Sequence, residues 1–197
     1  MTASFYDEAM TAPGAPSMLP LEQSPWLPVY EEAARWILND PVIDLGCGTG
    51  RFAQALYRQT RSAPYLGIDF SQRALAEARR GFSPGVCKYE GIAFRKQDLT
   101  RWKPSDELAG STAFVCLELL EHLEDDLSLV QRIPPGFRLI FSVPNYPSEA
   151  HVRDFRTIGS IWGRYDSLVA FTRWSLIDLD GAHAIHLLDC SRRIESW

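Results

Sequence analysis

Three glycines stand at alternate positions in VIDLGCGTGRFA, residues 42–53, directly behind an apolar run that contains Asp44. Gly46, Gly48 and Gly50 keep the backbone bare, which permits a tight strand-to-helix turn and lets a ligand lie against the main chain. Asp69 closes a second apolar run, YLGID, nineteen residues beyond Gly50. A carboxylate there suits the two hydroxyls of a ribose. The spacing would also suit NAD, since the run from Gly48 satisfies G-x-G-x-x-A. Three details argue against it. Asp44 inside the motif would repel a pyrophosphate but suits a ligand carrying an ammonium and a sulfonium. Asp98 closes a third run, in RKQDLT, where it can accept from the exocyclic amine of an adenine. CLELLEHLEDD, after a fourth run, is an acidic mouth hostile to phosphate. All three fit S-adenosylmethionine (SAM).

Such residues need a scaffold that gathers the ends of several strands. In VYEEAARWIL, Val29, Ala33 and Ile37 recur beside Tyr30, Ala34 and Leu38 at helical spacing, predicting an amphipathic helix that ends near Asn39. Short apolar runs then alternate with helical segments. PVIDLG, YLGID, IAFRKQD, STAFVCLE and RLIFSVP read as strands, and FAQALYRQT, SQRALAEARRG and DDLSLVQRI as helices, with Ser71 as an N-cap and Gly81 just past its helix. Strands separated by helices imply right-handed βαβ units and a parallel, doubly wound sheet, whose ligands bind beyond the carboxyl ends of the strands. DFRTIGSIWGRY predicts a further helix. LVAFTRW and AIHLLDCSRR follow too closely for a crossover helix and predict an antiparallel pair. Five prolines in residues 11–28 predict an extended arm. The expected organisation is one domain over residues 1–197, with residues 1–28 as a Pro-rich N-terminal arm.

The chain has 197 residues, 46% of them hydrophobic, enough for the core of one domain. No apolar run reaches membrane-spanning length. MTASFYDEAM carries no basic segment ahead of an apolar one, so a cytoplasmic protein without membrane insertion is expected. Cys47, Cys87, Cys116 and Cys190 form no C-x-x-C pair and read as reduced thiols. A formal charge of −5 argues against nucleic acid as a partner. Arg79, Arg80, Arg153 and Arg156 read as solvated surface.

Taken in order, VIDLGCGTGRFA, YLGIDFS, RKQDL, FVCLELLEHLEDD and RLIFSVPNY resemble the successive motifs of class I SAM-dependent methyltransferases, over about Val29 to Asn145. The likeness is to small stand-alone members, similar to methyltransferase types 11 and 12 and to ubiquinone-type O-methyltransferases. It implies an α/β, Rossmann-like, doubly wound seven-stranded sheet, mostly parallel, with an antiparallel C-terminal hairpin. It also implies SAM as cofactor, with S-adenosylhomocysteine as product. Gly46, Cys47, Gly48 and Gly50 would lie under the methionine part, with Cys47 a small packing residue rather than a nucleophile. Asp44 would lie on the ligand side, Asp69 on the ribose, Phe70 along the adenine, and Asp98 with Leu99 at its edge. Leu117 and Glu118 would lie near the sulfonium and the acceptor.

Glu118, Glu121 and His122 make an E-x-x-E-H set, with His151 downstream. The set resembles the divalent-ion site of Hen1-like RNA 3′-terminal 2′-O-methyltransferases, but NYPSEAHVRDF lacks their histidine-rich signature. It equally resembles small-molecule methyltransferases related to the ubiquinone and menaquinone enzymes. Glu118, Glu121, Asp125 and Asp126 also suit the approach to a helix N-terminus, worth a few tenths to about 1 kcal/mol. No metal is expected. The four residues Glu118, Glu121, His122 and His151 are the catalytic candidates, with one histidine as general base toward an O or N atom of a small-molecule acceptor. A non-catalytic SAM- or nucleotide-binding domain is the other alternative. Phe5, Tyr6, Trp26, Tyr146, Phe155 and Trp162 are candidate walls of the acceptor site. The arm, the segment PSEAHVRDFRTIGSIWGRY or a second subunit would roof it, which leaves a homodimer open.

Overall fold

The computed structural model describes residues 7, 8, 12, 14–37, 39–60, 64–83, 91–104 and 112–194. Phe5, Tyr6 and Cys87 lie outside the described residues. The chain divides into two compact units, residues 1–99 and 100–197.

The first unit holds α1 (Leu27–Ile37), β1 (Val42–Leu45), α2 (Arg51–Thr60), β2 (Tyr65–Asp69), α3 (Gln72–Gly81) and β3 (Ile92–Lys96). All residues of β1 are buried, as expected for a short apolar run in a sheet covered on both faces. Strand β2 pairs in parallel with both β1 and β3. Helix α1 buries Val29, Ala33, Ala34, Trp36 and Ile37, and α2 buries Phe52, Ala53, Ala55, Leu56 and Tyr57. These stripes recur at the helical period, so the two helices pack on each other. Ser71 caps α3 by accepting from the Ala74 amide at 2.9 Å. Gly81 is the last helical residue rather than the one beyond it; the Phe82 amide closes the end on the carbonyls of Arg79 and Arg80.

The expected arm is not extended where it is described. Pro16–Met18 and Leu21–Gln23 form 3-10 turns, and Leu21 is buried. Pro28 lies in the first turn of α1, where the missing amide proton costs no helical hydrogen bond. Prolines excluded from helix interiors are thus used to punctuate tight turns.

The second unit holds β4 (Ala113–Leu117), a 3-10 turn (Leu120–His122), α4 (Asp126–Arg132), β5 (Arg138–Pro144), α5 (Ile158–Tyr165), β6 (Val169–Asp178) and β7 (Ala184–Arg192). β4 and β5 are parallel, whereas β7 runs antiparallel to both β5 and β6. The helix expected across DFRTIGSIWGRY is confined to its second half, where Thr157 caps it through the Ser160 amide. The strand order is β3-β2-β1-β4-β5-β7-β6. This is a seven-stranded, mostly parallel α/β fold with an antiparallel C-terminal pair. Among the described residues no helix is long and apolar enough to cross a membrane.

Candidate active site

In the first unit the turn after β1 is built from left-handed glycines. Gly46, Gly48 and Gly50 have φ of 78°, 52° and 75°. A Cβ on Gly50 would lie 3.0 Å from the Ala78 Cβ, so helix packing needs this glycine. A Cβ on Gly48 would meet nothing within 4 Å, which leaves open space against its backbone. Asp69 ties the loop to the end of β2: one carboxylate oxygen accepts from the Gly48 amide at 2.9 Å and the other from the Ser71 amide at 2.8 Å. Each carboxylate oxygen has a second lone-pair direction, so this leaves acceptor capacity. Burial raises the Asp69 pKa against the lowering effect of these bonds. The N-terminal segment fastens to the same loop, with Thr49 Oγ1 donating to the Ser17 carbonyl at 2.6 Å and Arg51 to the Met18 carbonyl at 3.1 Å.

Asp44 is buried within β1 and accepts a hydrogen bond from the Tyr65 hydroxyl. Burial pushes its pKa up to about 7, with the Tyr65 bond acting the other way. The acid picked out for its charge is therefore largely an internal hydrogen-bonding group. Cys47 is buried, its Sγ against the position where Gly67 would carry a Cβ, 2.8 Å away. Burial raises its thiol pKa, so it is not activated as a thiolate. Phe70 is half-buried just past β2, Asp98 is exposed two residues past β3, and Leu99 is buried beside it.

In the second unit β4 ends at Leu117, and Glu118 turns the chain with φ of 51°. A left-handed backbone costs an L-residue roughly 1–2 kcal/mol. Glu118 is held there by Ser142 of β5, whose Oγ accepts from its amide at 2.9 Å and donates to its carboxylate at 2.8 Å. The 3-10 turn that follows carries Glu121 and His122. Glu121 is fully buried, and neither carboxylate oxygen has a hydrogen-bond partner. Burial, with the charge of Glu118 adding to it, raises its pKa well above the usual carboxylate range. His122 Nδ1 lies 2.9 Å from the Ala150 carbonyl, which assigns its proton to Nδ1 and leaves the lone pair on Nε2. That Nε2 is 3.8 Å from Glu121. The His122 and His151 rings meet edge to face at 5.0 Å, and burial lowers the pKa of both. His151 Nδ1 is buried without a partner. One donor atom each from Glu121, His122 and His151 lie within 4.8 Å of one another, so these three could hold a divalent ion.

Arg153 builds this cluster, contrary to its expected place on the solvated surface. Its guanidinium donates to the carbonyls of Leu120, at 2.7 Å, Leu123 and Glu124, and pairs with Asp126 at 3.3 Å. The Val152 amide adds a bond to the Glu121 carbonyl at 2.8 Å. Asp126, at the start of α4, is fully buried and gripped by Nε and Nη2 of Arg164 and by the Tyr165 hydroxyl. Burial would raise its pKa, but these partners outweigh it and hold the carboxyl low. Of the expected walls, Phe155 is buried against Tyr165, Trp162 is 48% exposed and Tyr146 stands against His151 at 6.3 Å.

Residues 42–133 match the family described as Methyltransferase domain. Residues 42–133 thus carry the sequence pattern of a methyltransferase domain. Over 125 residues the chain is 31% identical to the ubiquinone biosynthesis O-methyltransferase of Pseudomonas aeruginosa (strain LESB58), a match covering 60% of this chain and 50% of that one. The chain thus spans about half the length of the curated relatives it matches. Its fold is similar to that of magnesium protoporphyrin IX methyltransferase from Synechocystis PCC 6803 with bound SAM, at a TM-score of 0.66 and 18% identity over 98% of this chain and 92% of that one. It is also similar to the N-methyltransferase NodS from Bradyrhizobium japonicum WM9 with bound S-adenosylhomocysteine, at a TM-score of 0.67 and 16% identity over 98% of each chain. Of the expected site residues, the structure gathers the glycines and Asp69 at one turn, and Glu118, Glu121 and His122 at another. Tyr65, Ser142 and the clamping role of Arg153 are not legible in the sequence, because each acts on a group more than twenty residues away.

Proposed function

We propose that the protein transfers a methyl group from SAM to a hydroxyl oxygen of a small organic acceptor. The single observation that carries the reading is the state of His122: its proton is held at Nδ1 by the Ala150 carbonyl, and its pKa is lowered by burial. Both favour the neutral imidazole, in which Nε2 is the nitrogen that can take a proton.

The residues present fit SAM. The left-handed glycine loop offers bare backbone at Gly48, and Asp69 has acceptor capacity for a ribose. Asp98 and Leu99 suit an adenine edge. SAM supplies a methyl on a sulfonium, whose S–C electron pair stays with sulfur to leave the neutral thioether. Asp69 orients the ribose while it holds the loop. His122 Nε2 takes the acceptor's hydroxyl proton as the oxygen lone pair forms the new O–C bond. Burial raises the Glu121 carboxyl well above its usual range, which weakens its pull on a proton at His122 Nε2. Leu117 and Glu118 serve the acceptor end, and the charge balance favours an organic acceptor over a nucleic acid. The identity to an O-methyltransferase supports oxygen over nitrogen.

A second reading has its own observation, the three donors within 4.8 Å. There Glu121, His122 and His151 would hold a divalent cation, which would lower the pKa of the acceptor hydroxyl and replace the base. The test for the main reading is direct. SAM and S-adenosylhomocysteine should stabilise the protein by about 2.7 kcal/mol at a hundred times the dissociation constant and so raise its melting temperature, while NAD does not. Labelled methyl should then pass from SAM to o-dihydroxybenzene rather than to aniline. Stabilisation by NAD alone would overturn the proposal.

A further inference from the structure

Strand β5 is buried over Leu139–Pro144, and Ser142 puts a hydroxyl in the middle of it at 0% exposure. A hydroxyl in such a place is costly unless it is hydrogen-bonded. Both of its bonds go to one residue, the amide and the carboxylate of Glu118. The register of the parallel pair explains how, since Ser142 stands beside Leu117 and so reaches the first residue past β4.

Glu118 is the one non-glycine with positive φ among the described residues. A glycine would take that conformation without strain. The chain instead keeps a carboxylate there and adds a buried hydroxyl to hold it, and a strained backbone retained in this way points to a use for the side chain. The turn at Glu118 also aims the following 3-10 turn, which carries Glu121 and His122.

We propose that Ser142 is a positioning residue for methyl transfer: it locks Glu118 in its left-handed turn with one carboxylate orientation, and so presents Glu118, Glu121 and His122 to the acceptor as one rigid group. The inference rests on the methyl-transfer reading for its reaction. The clamp itself is measurable without turnover. Removing the hydroxyl leaves the Glu118 amide without the acceptor it now uses and lets the carboxylate reorient.

The test uses the full chain with Ser142→Cys, Ser142→Ala and Ser142→Thr. Cysteine keeps the volume and loses the strong hydroxyl, whereas threonine keeps the hydroxyl. With glutamate labelled at the carboxyl carbon, the Glu118 resonance should move in S142C and S142A and return in S142T. With o-dihydroxybenzene as acceptor, kcat should fall at least tenfold in S142C while KM for SAM stays within twofold, and S142T should restore most of the loss. An S142C protein with an unmoved Glu118 resonance and wild-type kcat would overturn the proposal. So would loss of kcat in S142T equal to that in S142C. If overpacking keeps S142T from folding, Glu118→Gln replaces it: it retains the acceptor oxygen, loses the charge and should show the same selective fall in kcat. If the wild-type protein methylates no hydroxyl probe, the methyl-transfer reading has failed, and the carboxyl resonances alone still decide whether Ser142 clamps Glu118.

Discussion

The Tyr65 hydroxyl donates to the Asp44 carboxylate across the β1–β2 pair, and both residues are buried. Burial raises the Asp44 pKa from 3.8 to about 7. A raised carboxyl means that the folded protein holds the proton more tightly than the unfolded chain does. The resulting stabilisation is complete below the unfolded value and is lost as pH rises through about 7. Asp44→Asn should therefore flatten the stability profile between about pH 4 and pH 8, by an upper limit of about 4 kcal/mol. Urea unfolding at several pH values measures it. A variant with the wild-type slope would show that Asp44 ionises freely.

Asp69 serves the loop and, in the proposed function, the ribose. Asp69→Ala should weaken SAM binding by about 1.5–3 kcal/mol, since it orphans the Gly48 amide and the ribose hydroxyls together. Cys47→Ala should cost binding far less, because the thiol packs against β2 and makes only a long 3.9 Å bond to the Gly48 carbonyl. Titration calorimetry on both variants gives the comparison. Equal affinities would place the ribose elsewhere.

His122→Gln should lower kcat on the order of a hundredfold, with His151→Gln much milder. Because burial lowers the His122 pKa, the rising limb of the pH–rate profile should fall below about 6.5. Chelator should leave the rate unchanged. Loss of activity on chelation, restored by magnesium or manganese, together with equal damage from both histidine variants, would instead select the ion held by Glu121, His122 and His151.

Asp126→Asn should destabilise the second unit by about 3–5 kcal/mol, because it strips the charge paired with Arg164 and Arg153 in a buried setting. Arg153→Lys should lose less stability and more activity, since an ammonium cannot span the three carbonyls that shape the Glu121–His122 turn. Thermal melts paired with initial rates separate the two. An R153K protein with full activity would show that the turn holds its shape without the guanidinium.

The sequence by itself determined the strand–helix alternation, the glycine turn after β1, the Ser71 cap and the antiparallel character of the last two strands. Each of these is written in neighbouring residues, as a period of about 2 or 3.6, a small residue where φ is positive, or a cap three residues from the amide it serves. What only the tertiary structure decided lies between distant residues. Nothing near Asp44 announces that the Tyr65 hydroxyl will bond its carboxylate inside the sheet. Nothing near Glu118 announces Ser142, which reads as a polar interruption in an apolar strand until the β4–β5 register sets it beside Leu117. Arg153 reads as solvated surface until its segment folds back on residues 120–124, a closure that also brings His151 against His122. Pairings of this kind depend on register and loop path, which local propensity does not encode.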